Sequence, residues 1–372
     1  MQKKLTSLGL MSGTSGDGVD ASIVETNGIN QYHLIKDKYY EYSPDLYKDI
    51  HSLKEKVHKI DHLEIYKNEI NNIERKITIF HAEIIKDLNV SDKTLIGFHG
   101  QTIYHNPMEQ ISRQLGNGKL LNQLTNRKVV YDFRRNDISH GGQGAPLAPV
   151  FHHLVSLQNK IKLPVCFLNI GGISNITVVK DQNDLSKLLS KDIGPGNCLI
   201  DNWVRKNSNK KFDQDGIIAS SGKRNQIIFE QAQELYVNRN NKKKLSFDTN
   251  DFDISFIRGL SFEDGAATLT DFTASIIGDE ISLTLKNVKE KIHNILLCGG
   301  GRKNKFLIKK IKENIPSSIK LDLIDKYKIN GDFIESQAFA FLAVRSFLKL
   351  PISFPNTTGC RKPCTGGKLI NS

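Results

Sequence analysis

The segment GLMSGTSGDG (residues 9–18) places the hydroxyls of Thr14 and Ser15 and the carboxylate of Asp17 among glycines, between two apolar, β-prone runs. This order predicts a strand, a tight loop and a second strand. Glycines let backbone N–H groups turn toward one point, where Thr14 and Ser15 add hydroxyls, and such a nest suits a phosphate. No Gly-Lys-Ser/Thr follows, so the loop is not a Walker A motif. Taken alone, the segment is explained best by an ordinary Gly-Ser hairpin turn.

Related patterns occur twice more along the chain. VCFLNIGGISNITVV (residues 165–179) again joins an apolar run to a β-branched run through a glycine turn. NILLCGGGRKN (residues 294–304) predicts a buried strand, three glycines and a lysine-rich helix, where backbone could approach a flat or anionic ligand. The first two segments are not close copies, so they are weak evidence of a duplicated architecture. Three such loops in one chain favour a nucleotide cradle.

Asp192 is the leading candidate for a general base. In KDIGPGNCLIDNWV (residues 191–204) it precedes Gly-Pro-Gly, where we expect the chain to turn and direct the carboxylate into a cleft. A lone aspartate at a turn is usually structural, but among phosphate-type loops it becomes a candidate to deprotonate a nucleophile. Asp213, Asp215 and Glu335 are the other acids of interest, although Glu335 could equally be an ordinary helix-surface residue.

Two polar segments carry candidates for ligand binding, since α/β proteins bind ligands at the carboxyl ends of their parallel strands. GFHGQTIYHNP (residues 97–107) offers a polar set at a strand end: His99, Gln101 and Thr102. DFRRNDISHGGQGAPLAP (residues 132–149) offers Arg134 before a helix that opens around Pro146. Arg134 can bind a carboxylate within the fold or a substrate anion in a forked geometry. Satisfied loop imidazoles explain His99 and His105 better than a metal site, because no third ligand is in register.

The elements that must position these residues alternate between strands and helices, which predicts an α/β fold. Ser43-Pro44 predicts a helix start, from an N-cap serine and a first-turn proline. A long helix is expected from Asp61, with an apolar stripe that marks core: Ile70, Ile73, Ile77, Phe80, Ile84 and Leu88. Further helices are predicted over residues 197–206, 265–285 and 332–348. Without a long linker, the domain break is expected in a cleft that the chain crosses near residues 127–134 and near Leu350.

Composition indicates a globular protein large enough for two domains with full cores. The 372 residues carry a net charge of +12. The lysine-rich segments at residues 242–244 and 303–314 lack interleaved aromatic residues, so nucleic-acid binding is weakly supported. Solvated lysine faces explain such segments, and anionic small substrates fit the charge equally well.

The five cysteines show no framework spacing, which indicates a reduced, cytoplasmic protein. Cys360 and Cys364 are the only close pair, and two thiols alone cannot complete a tetrahedral zinc site. No signal segment is expected at the N-terminus. The longest apolar run, residues 338–344, is too short to span a bilayer.

Six segments, in this order, together resemble the anhydro-N-acetylmuramic acid kinases: GLMSGTSGDGVDASIVE, GFHGQTIYHNP, DFRRNDISHGGQGAPLAP, LNIGGISNIT, DIGPGN and ESQAFAFLA. These kinases belong to the group that contains hexokinases, actin and the chaperone ATPases. The resemblance extends from about Gly9 to TGCRKP near the C-terminus. It implies a two-lobed, actin/hexokinase-like (ribonuclease H-like) α/β fold with ATP and Mg²⁺ in the cleft. Lobe I is expected at residues 1–131 and 350–372, and lobe II at residues 132–349.

The resemblance also implies roles for individual residues. Asp192 matches the general base, while Thr102, Arg134 and Glu335 fall where the family holds the sugar. Three segments match a first phosphate loop, a second phosphate loop and a stretch beside the adenosine: Gly13, Thr14, Ser15, Gly16, Asp17, Gly18, Val19 and Asp20; Gly171, Gly172, Ser174 and Asn175; Gly299, Gly300 and Gly301. The metal ligands stay unassigned.

The implied reaction consumes one water and one ATP. Water deprotonated by Asp192 attacks the anomeric carbon of the 1,6-anhydro sugar, and the released O6 takes the γ-phosphoryl group, which gives N-acetylmuramic acid 6-phosphate and ADP. The implied setting is cell-wall sugar recycling in a bacterial cytoplasm, without a nucleic-acid or membrane partner and compatible with a homodimer. Two alternatives stay open: an actin-like ATPase acting on a protein partner, against which the sugar-side segments argue, and an ATP-independent anhydro-sugar hydrolase.

Three features depart from the family pattern. Gly16 stands where leucine is usual, which predicts a looser first loop. Asn117 stands where an aspartate is usual, which removes a charge near the cleft. The tail TGCRKPCTGGKL is more polar than is typical. None of these removes a proposed catalytic group, so we expect an active enzyme whose ATP affinity is the property most open to change.

Overall fold

The computed structural model describes residues 3–238, 246–288 and 290–371, so the lysines at 242–244 lie outside the described residues. The strands are β1 (Leu5–Ser12), β2 (Gly18–Thr26), β3 (Tyr32–Glu41), β4 (Leu95–Asn106), β5 (Ile111–Leu115), β6 (Val129–Tyr131), β7 (Val165–Ile170), β8 (Ile173–Val179), β9 (Leu189–Pro195), β10 (Asn294–Cys298), β11 (Lys320–Leu323) and β12 (Lys368–Ile370). The helices are α1 (Pro44–Lys56), α2 (His62–Ile65), α3 (Lys67–Asp87), α4 (Gly118–Thr125), α5 (Arg135–Ser139), α6 (Pro149–Gln158), α7 (Cys198–Asn207), α8 (Ile217–Ser221), α9 (Gln226–Asn238), α10 (Phe262–Asn287), α11 (Lys305–Glu313), α12 (Ile334–Phe347) and α13 (Pro355–Thr358).

The chain divides into two compact units. The first unit comprises Met1–Lys162, Asp181–Ser190 and Phe333–Ser372, and the second unit comprises Leu163–Lys180 and Lys191–Asp332. The first unit contains a seven-stranded sheet in the order β12-β6-β4-β1-β2-β3, with β5 paired to β4. The second unit contains a five-stranded sheet in the order β11-β10-β7-β8-β9.

Both sheets repeat one pattern of strand pairing. β1 pairs antiparallel with β2 and parallel with β4, and β4 pairs parallel with β6. Likewise, β7 pairs antiparallel with β8 and parallel with β10, and β10 pairs parallel with β11. When β5 and β12 of the first sheet are set aside, the strand order counted along the chain is 3-2-1-4-5 in both sheets, which is the ribonuclease H-like arrangement. The α/β prediction is therefore confirmed, and the duplication is one of topology.

Close packing of α12 explains two glycines of the first sheet. A Cβ atom at Gly9 would lie 2.0 Å from the Ser336 carbonyl oxygen, and one at Gly97 would lie 2.5 Å from the Phe339 carbonyl oxygen. Such distances exclude any side chain unless the helix moves. The Ser22 and Ser336 hydroxyls also form a buried hydrogen bond at 2.6 Å. Glycines in β1 and β4 thus let the start of α12 lie directly on the sheet.

Most predicted helices are confirmed: α7, α10 and α12 begin and end within three residues of the expected bounds, and α1 begins at Pro44 as predicted. Ser43 caps α1, because its Oγ accepts a hydrogen bond from the Leu46 N–H. The long helix expected from Asp61 is instead split into α2 and α3 at Tyr66, and Asp61 makes no side-chain cap. The apolar stripe lies largely in the core as expected, with these members buried: Ile70, Ile73, Ile77, Ile84 and Leu88.

The division into units differs from the expected lobe boundaries. Residues 132–162 and 333–349 lie in the first unit, although we expected them in lobe II. The physical reason is packing, because α12 lies against β1, β2 and β4, and α6 lies against α12. Which residues act as lobes during the reaction stays a prediction.

Two further findings concern membrane-spanning helices and the cysteines. Within the described stretches, no helix is long and apolar enough to cross a membrane. The five cysteines are all free thiols.

Candidate functional site

The first glycine loop is the tight turn between β1 and β2, as predicted. Gly16 takes a φ of +67°, and its N–H donates to the Gly13 carbonyl at 3.2 Å. A side chain at this φ would be strained, so glycine fits the turn that this chain adopts. Two residues hold the turn from outside: Gln101 Nε2 donates to the Gly13 carbonyl at 2.9 Å, and Lys54 Nζ donates to the Thr14 carbonyl at 2.5 Å. Sequence reasoning missed Lys54, because nothing in the local sequence indicates that this lysine contacts a loop 40 residues away.

The remaining predicted residues of this loop differ in surroundings. Ser15 Oγ donates to Asp17 Oδ1 at 2.6 Å, so the hydroxyl and the carboxylate of the turn lie together. Val19 is fully buried, and a Cβ atom at Gly18 would lie 2.4 Å from the Tyr40 carbonyl oxygen. Gly18 therefore allows β3 to pack closely on β2, and the buried Val19 side chain is not available to a ligand. Asp20 lies in β2, half-buried, opposite Met11.

The second glycine loop is the turn between β7 and β8, and the end of β9 binds it. The Gly196 N–H donates to the Gly172 carbonyl and the Asn197 N–H to the Gly171 carbonyl, each at 2.8 Å. Ser174 Oγ donates to the Pro195 carbonyl at 3.2 Å. Ser174 is thus a buried structural hydroxyl, while Gly171 and Gly172 form the partly exposed turn.

The third glycine segment packs beside the second loop within the second unit. A Cβ atom at Gly299 would lie 2.4 Å from Asn169 Oδ1, and one at Gly301 would lie 3.0 Å from Asn197 Nδ2. In the described chain, nothing lies within 4 Å of the equivalent point at Gly300. The structure therefore brings two of the three predicted nucleotide segments together and leaves backbone open at Gly300.

Asp192 lies within β9 rather than at a turn, so that expectation was wrong. β9 continues to Pro195 because it pairs with β8 at the edge of the second sheet. The Asp192 side chain is buried, 8% exposed, and its Oδ2 accepts a hydrogen bond from the Phe247 N–H at 2.9 Å. A main-chain donor orients this carboxylate without neutralising its charge.

Two of the other acids considered, Asp213 and Asp215, have structural partners in the second unit. Asp213 accepts hydrogen bonds from the Ile218 and Ala219 N–H groups at 2.9 and 3.0 Å, so it caps the start of α8. Asp215 lies 3.7 Å from Lys305 in an exposed ion pair. Glu335 occupies the first turn of α12, the helix that packs on β1.

Arg134 contacts a histidine of β4. Its Nε and NH2 donate to His99 Nε2 at 3.2 and 2.9 Å, and its NH1 donates to the Gly144 carbonyl at 2.7 Å. His99 Nδ1 lies 2.7 Å from the Gly100 carbonyl, so His99 is the neutral tautomer that donates there and accepts from Arg134. Burial, and then the Arg134 charge, hold the His99 pKa well below its usual range. His99 therefore stays neutral near pH 7.

Residues 97–106 lie within β4 and Pro107 follows the strand, so the polar set is inside a strand and not in a loop at its end as we expected. A bulge at the Leu10/Met11 register shift places His99 between the paired residues Phe98 and Gly100, and such bulges redirect side chains. Thr102 Oγ1 accepts from Gln114 Nε2 of β5 at 3.2 Å. The three predicted sugar residues, Thr102, Arg134 and Glu335, thus all lie in the first unit, on different elements.

Asp137 is a buried acid whose importance the sequence did not reveal. It is fully buried and accepts hydrogen bonds from the Gly144 N–H at 2.7 Å, Ser353 Oγ at 2.5 Å and Thr358 Oγ1 at 2.7 Å. A Cβ atom at Gly142 would lie 2.1 Å from its Oδ2, which is the one sequence signal for this contact. Asp137 therefore holds the loop whose Gly144 carbonyl binds Arg134.

The structure brings Asp137 near the two close cysteines. Ligand atoms of Asp137, Cys360 and Cys364 lie within 4.8 Å of one another. Burial is the main cause that raises the pKa of Cys360 and raises that of Cys364 to about 12, so the thiols keep their protons at neutral pH. Since both carboxylate oxygens already accept hydrogen bonds, packing accounts for this cluster.

Each unit contains a buried amide oxygen that could accept a hydrogen bond from a bound group. Gln101 Oε1 beside the first loop and Asn175 Oδ1 at the second loop are buried, with no hydrogen-bond partner among the described residues. Buried acceptors of this kind require donors, and coordinated water or a ribose hydroxyl would supply them. These residues therefore fit ATP and Mg²⁺.

The repeated unit and its glycine hairpins define the class: a two-unit α/β protein of the ribonuclease H-like group. Comparison with known proteins then assigns the family. The family model for anhydro-N-acetylmuramic acid kinase matches residues 5–372, and the chain belongs to this family. Curated proteins of that name are similar along their whole length: the one from Pelagibacter ubique is 52% identical, with 100% of each chain covered, and the one from Zymomonas mobilis is 37% identical, with 98% of this chain and 99% of the relative covered.

Proposed function

We propose that the protein cleaves the 1,6-anhydro ring of 1,6-anhydro-N-acetylmuramic acid and phosphorylates O6 with ATP, which yields N-acetylmuramic acid 6-phosphate and ADP. The observation that carries the proposal is the repeated glycine hairpin, present after the first strand of each ribonuclease H-like unit. In the second unit this hairpin is bonded to the end of β9, the strand that carries Asp192. A phosphate cradle and a buried base thus belong to one framework.

In the proposed reaction, Asp192 acts as the general base that deprotonates water. Water loses a proton to the carboxylate, its oxygen bonds to the anomeric carbon, and the bond from that carbon to O6 breaks. O6 then bonds to the γ-phosphorus as the bond to the ADP oxygen breaks. O6 begins in the anhydro bridge without a proton, so a base would have no proton to remove from the atom that accepts the phosphoryl group.

The backbone of three segments is proposed to hold ATP. The turns at residues 13–17 and 171–172 offer N–H groups to the phosphates, and residues 299–301 offer open backbone to the adenosine. Bound Mg²⁺ would neutralise charge on the β- and γ-phosphates. Gln101 and Asn175 are proposed to accept hydrogen bonds from water around the ion. The sugar is proposed to contact Thr102, Arg134 and Glu335.

An isotope experiment tests the proposal. In ¹⁸O-labelled water, the label is expected on the anomeric carbon of the first-formed product, and it should be absent from O6 and from the phosphoryl group. Attack opposite the leaving O6 also predicts a single anomer at first, as inverting glycosidases give. Label in the phosphoryl group would mean that water attacks phosphorus, and the role of Asp192 would be abandoned.

Dependence on ATP separates the remaining alternatives. Ring opening without ATP would identify a hydrolase, and ATP hydrolysis indifferent to the sugar would favour an ATPase that acts on a protein. We further propose a cytoplasmic location, where ATP and reducing conditions are available.

A further inference from the structure

The guanidinium group of Arg302 lies directly beside the glycine segment of residues 299–301. Its side chain is 5% exposed. Arg302 NH1 donates to the Gly299 carbonyl at 3.0 Å, and the Arg302 backbone N–H donates to the same oxygen at 3.3 Å. The Gly299 N–H in turn donates to the Gly331 carbonyl at 2.9 Å. Arg302 therefore binds the backbone of the proposed adenosine segment from behind.

Two carboxylates fix the guanidinium itself. Nε and NH2 donate to the two oxygens of Asp325 at 2.9 and 3.0 Å, and NH1 also donates to Asp332. A Cβ atom at Gly331 would lie 2.6 Å from Arg302 Nε, so Gly331 leaves room for the flat group. A forked pair sets both the position and the plane of a guanidinium, which a lysine ammonium cannot reproduce.

Burial of the guanidinium makes its ion pairs important to the local structure. Burial opposes the ionisation of Asp325 and Asp332, yet hydrogen bonds and charge from Arg302 hold the pKa of both carboxyl groups below the usual range. Exposed ion pairs stabilise little, but the Arg302 side chain is 5% exposed, while those of Asp325 and Asp332 are 37% and 26% exposed. Loss of a carboxylate would therefore leave the buried guanidinium charge unmatched. The neighbouring Lys303 also pairs with Asp332, but its side chain is 62% exposed. Lys303 can therefore serve as a control, because it is a cation that pairs with the same carboxylate but is not buried.

We propose that Arg302 is a positioning residue for ATP: it fixes the backbone of residues 299–301 on which the adenosine binds. The inference rests on the proposed function. Gly300 offers only backbone, so the shape of this surface depends on where the main chain lies. A displacement of about 1 Å in a site can cost up to about 100-fold. Arg302 sets that position without touching the ligand.

Steady-state kinetics of the full chain, with Arg302→Lys and Lys303→Gln compared, test the proposal. Arg302→Lys should raise the KM for ATP by about tenfold or more, and the dissociation constant of ADP by a similar factor, because both share the adenosine. Turnover at saturating ATP and the KM for the anhydro sugar should stay within about twofold of wild type. Lys303→Gln should leave all of these within about twofold, as an exposed ion pair predicts.

The outcomes are separable. If Arg302→Lys lowers only the fraction of folded, active protein and leaves the KM for ATP and the dissociation constant of ADP unchanged, Arg302 has a merely structural role and the proposal is overturned. Kinetics identical to those of the wild type would overturn it as well. If Arg302→Lys does not fold, Asp325→Asn provides the same test, since it weakens the fork and leaves Arg302 in place. Wild-type protein that binds neither ATP nor ADP would instead refute the proposed function, and calorimetry with the wild type detects this first.

Discussion

The Asp192→Asn variant separates the basicity of the candidate general base from its shape. In the structure, Asp192 Oδ2 accepts the Phe247 N–H at 2.9 Å. An asparagine carbonyl can accept the same hydrogen bond, so at this contact the variant should lose the difference between a charged and a neutral acceptor, about 1 kcal/mol of stability. Removal of a general base lowers turnover by about 10²–10⁴-fold, or about 3–5 kcal/mol in activation free energy. The loss in turnover should therefore far exceed the loss in stability.

The assay measures ADP release with saturating anhydro sugar, together with ADP binding by calorimetry and thermal unfolding. Asp213→Asn is the matched control, because Asp213 is also a buried acid of the second unit, 4% exposed, that accepts backbone N–H groups. It should reduce stability and leave turnover per folded molecule unchanged. If Asp192→Asn keeps turnover within about threefold while Asp192→Ala unfolds easily, Asp192 is only an acceptor for the main chain, and the argument for catalysis fails.

Three further predictions concern the rest of the molecule. Asp137→Asn should cost about 3 kcal/mol of unfolding free energy, because the new N–H₂ either faces the Gly144 N–H or requires the Ser353 and Thr358 hydroxyls to turn and accept. The exposed Asp92→Asn should change the unfolding free energy by less than about 0.5 kcal/mol, and equal denaturation midpoints for the two variants would contradict this. Burial lowers the pKa of His81 to about 4. Between about pH 6.5 and pH 4 the unfolded state therefore binds more protons than the folded state, so the free energy of unfolding should fall as the pH drops. In His81→Gln the slope of unfolding free energy against pH should be reduced by about one proton, and identical slopes in wild type and variant would exclude a buried neutral His81. ATP hydrolysis should be slow alone and rise sharply with the anhydro sugar, since binding of the sugar is expected to complete the site; a rate indifferent to saturating sugar would favour the ATPase alternative.

Some features could be predicted from sequence because they depend on a few neighbouring residues. The two hairpin turns are specified by glycines with flanking β-prone runs, and Ser43-Pro44 specifies the start of α1. Such signals act over one turn of chain, where steric and hydrogen-bond preferences decide the conformation. The ordered set of motifs also identified the family, because each segment is short and locally encoded.

Only the tertiary structure decided how the candidate residues are held. Asp192 lies in a strand, and residues 97–106 lie in another, because pairing with β8 and with β1 overrides the local polar pattern. Arg134 meets His99 across 35 residues of sequence, and Arg302 meets Asp325 across 23. Gly9 admits the backbone of Ser336 from the far end of the chain. No local pattern encodes these contacts, since long-range packing selects the partners after the elements have formed.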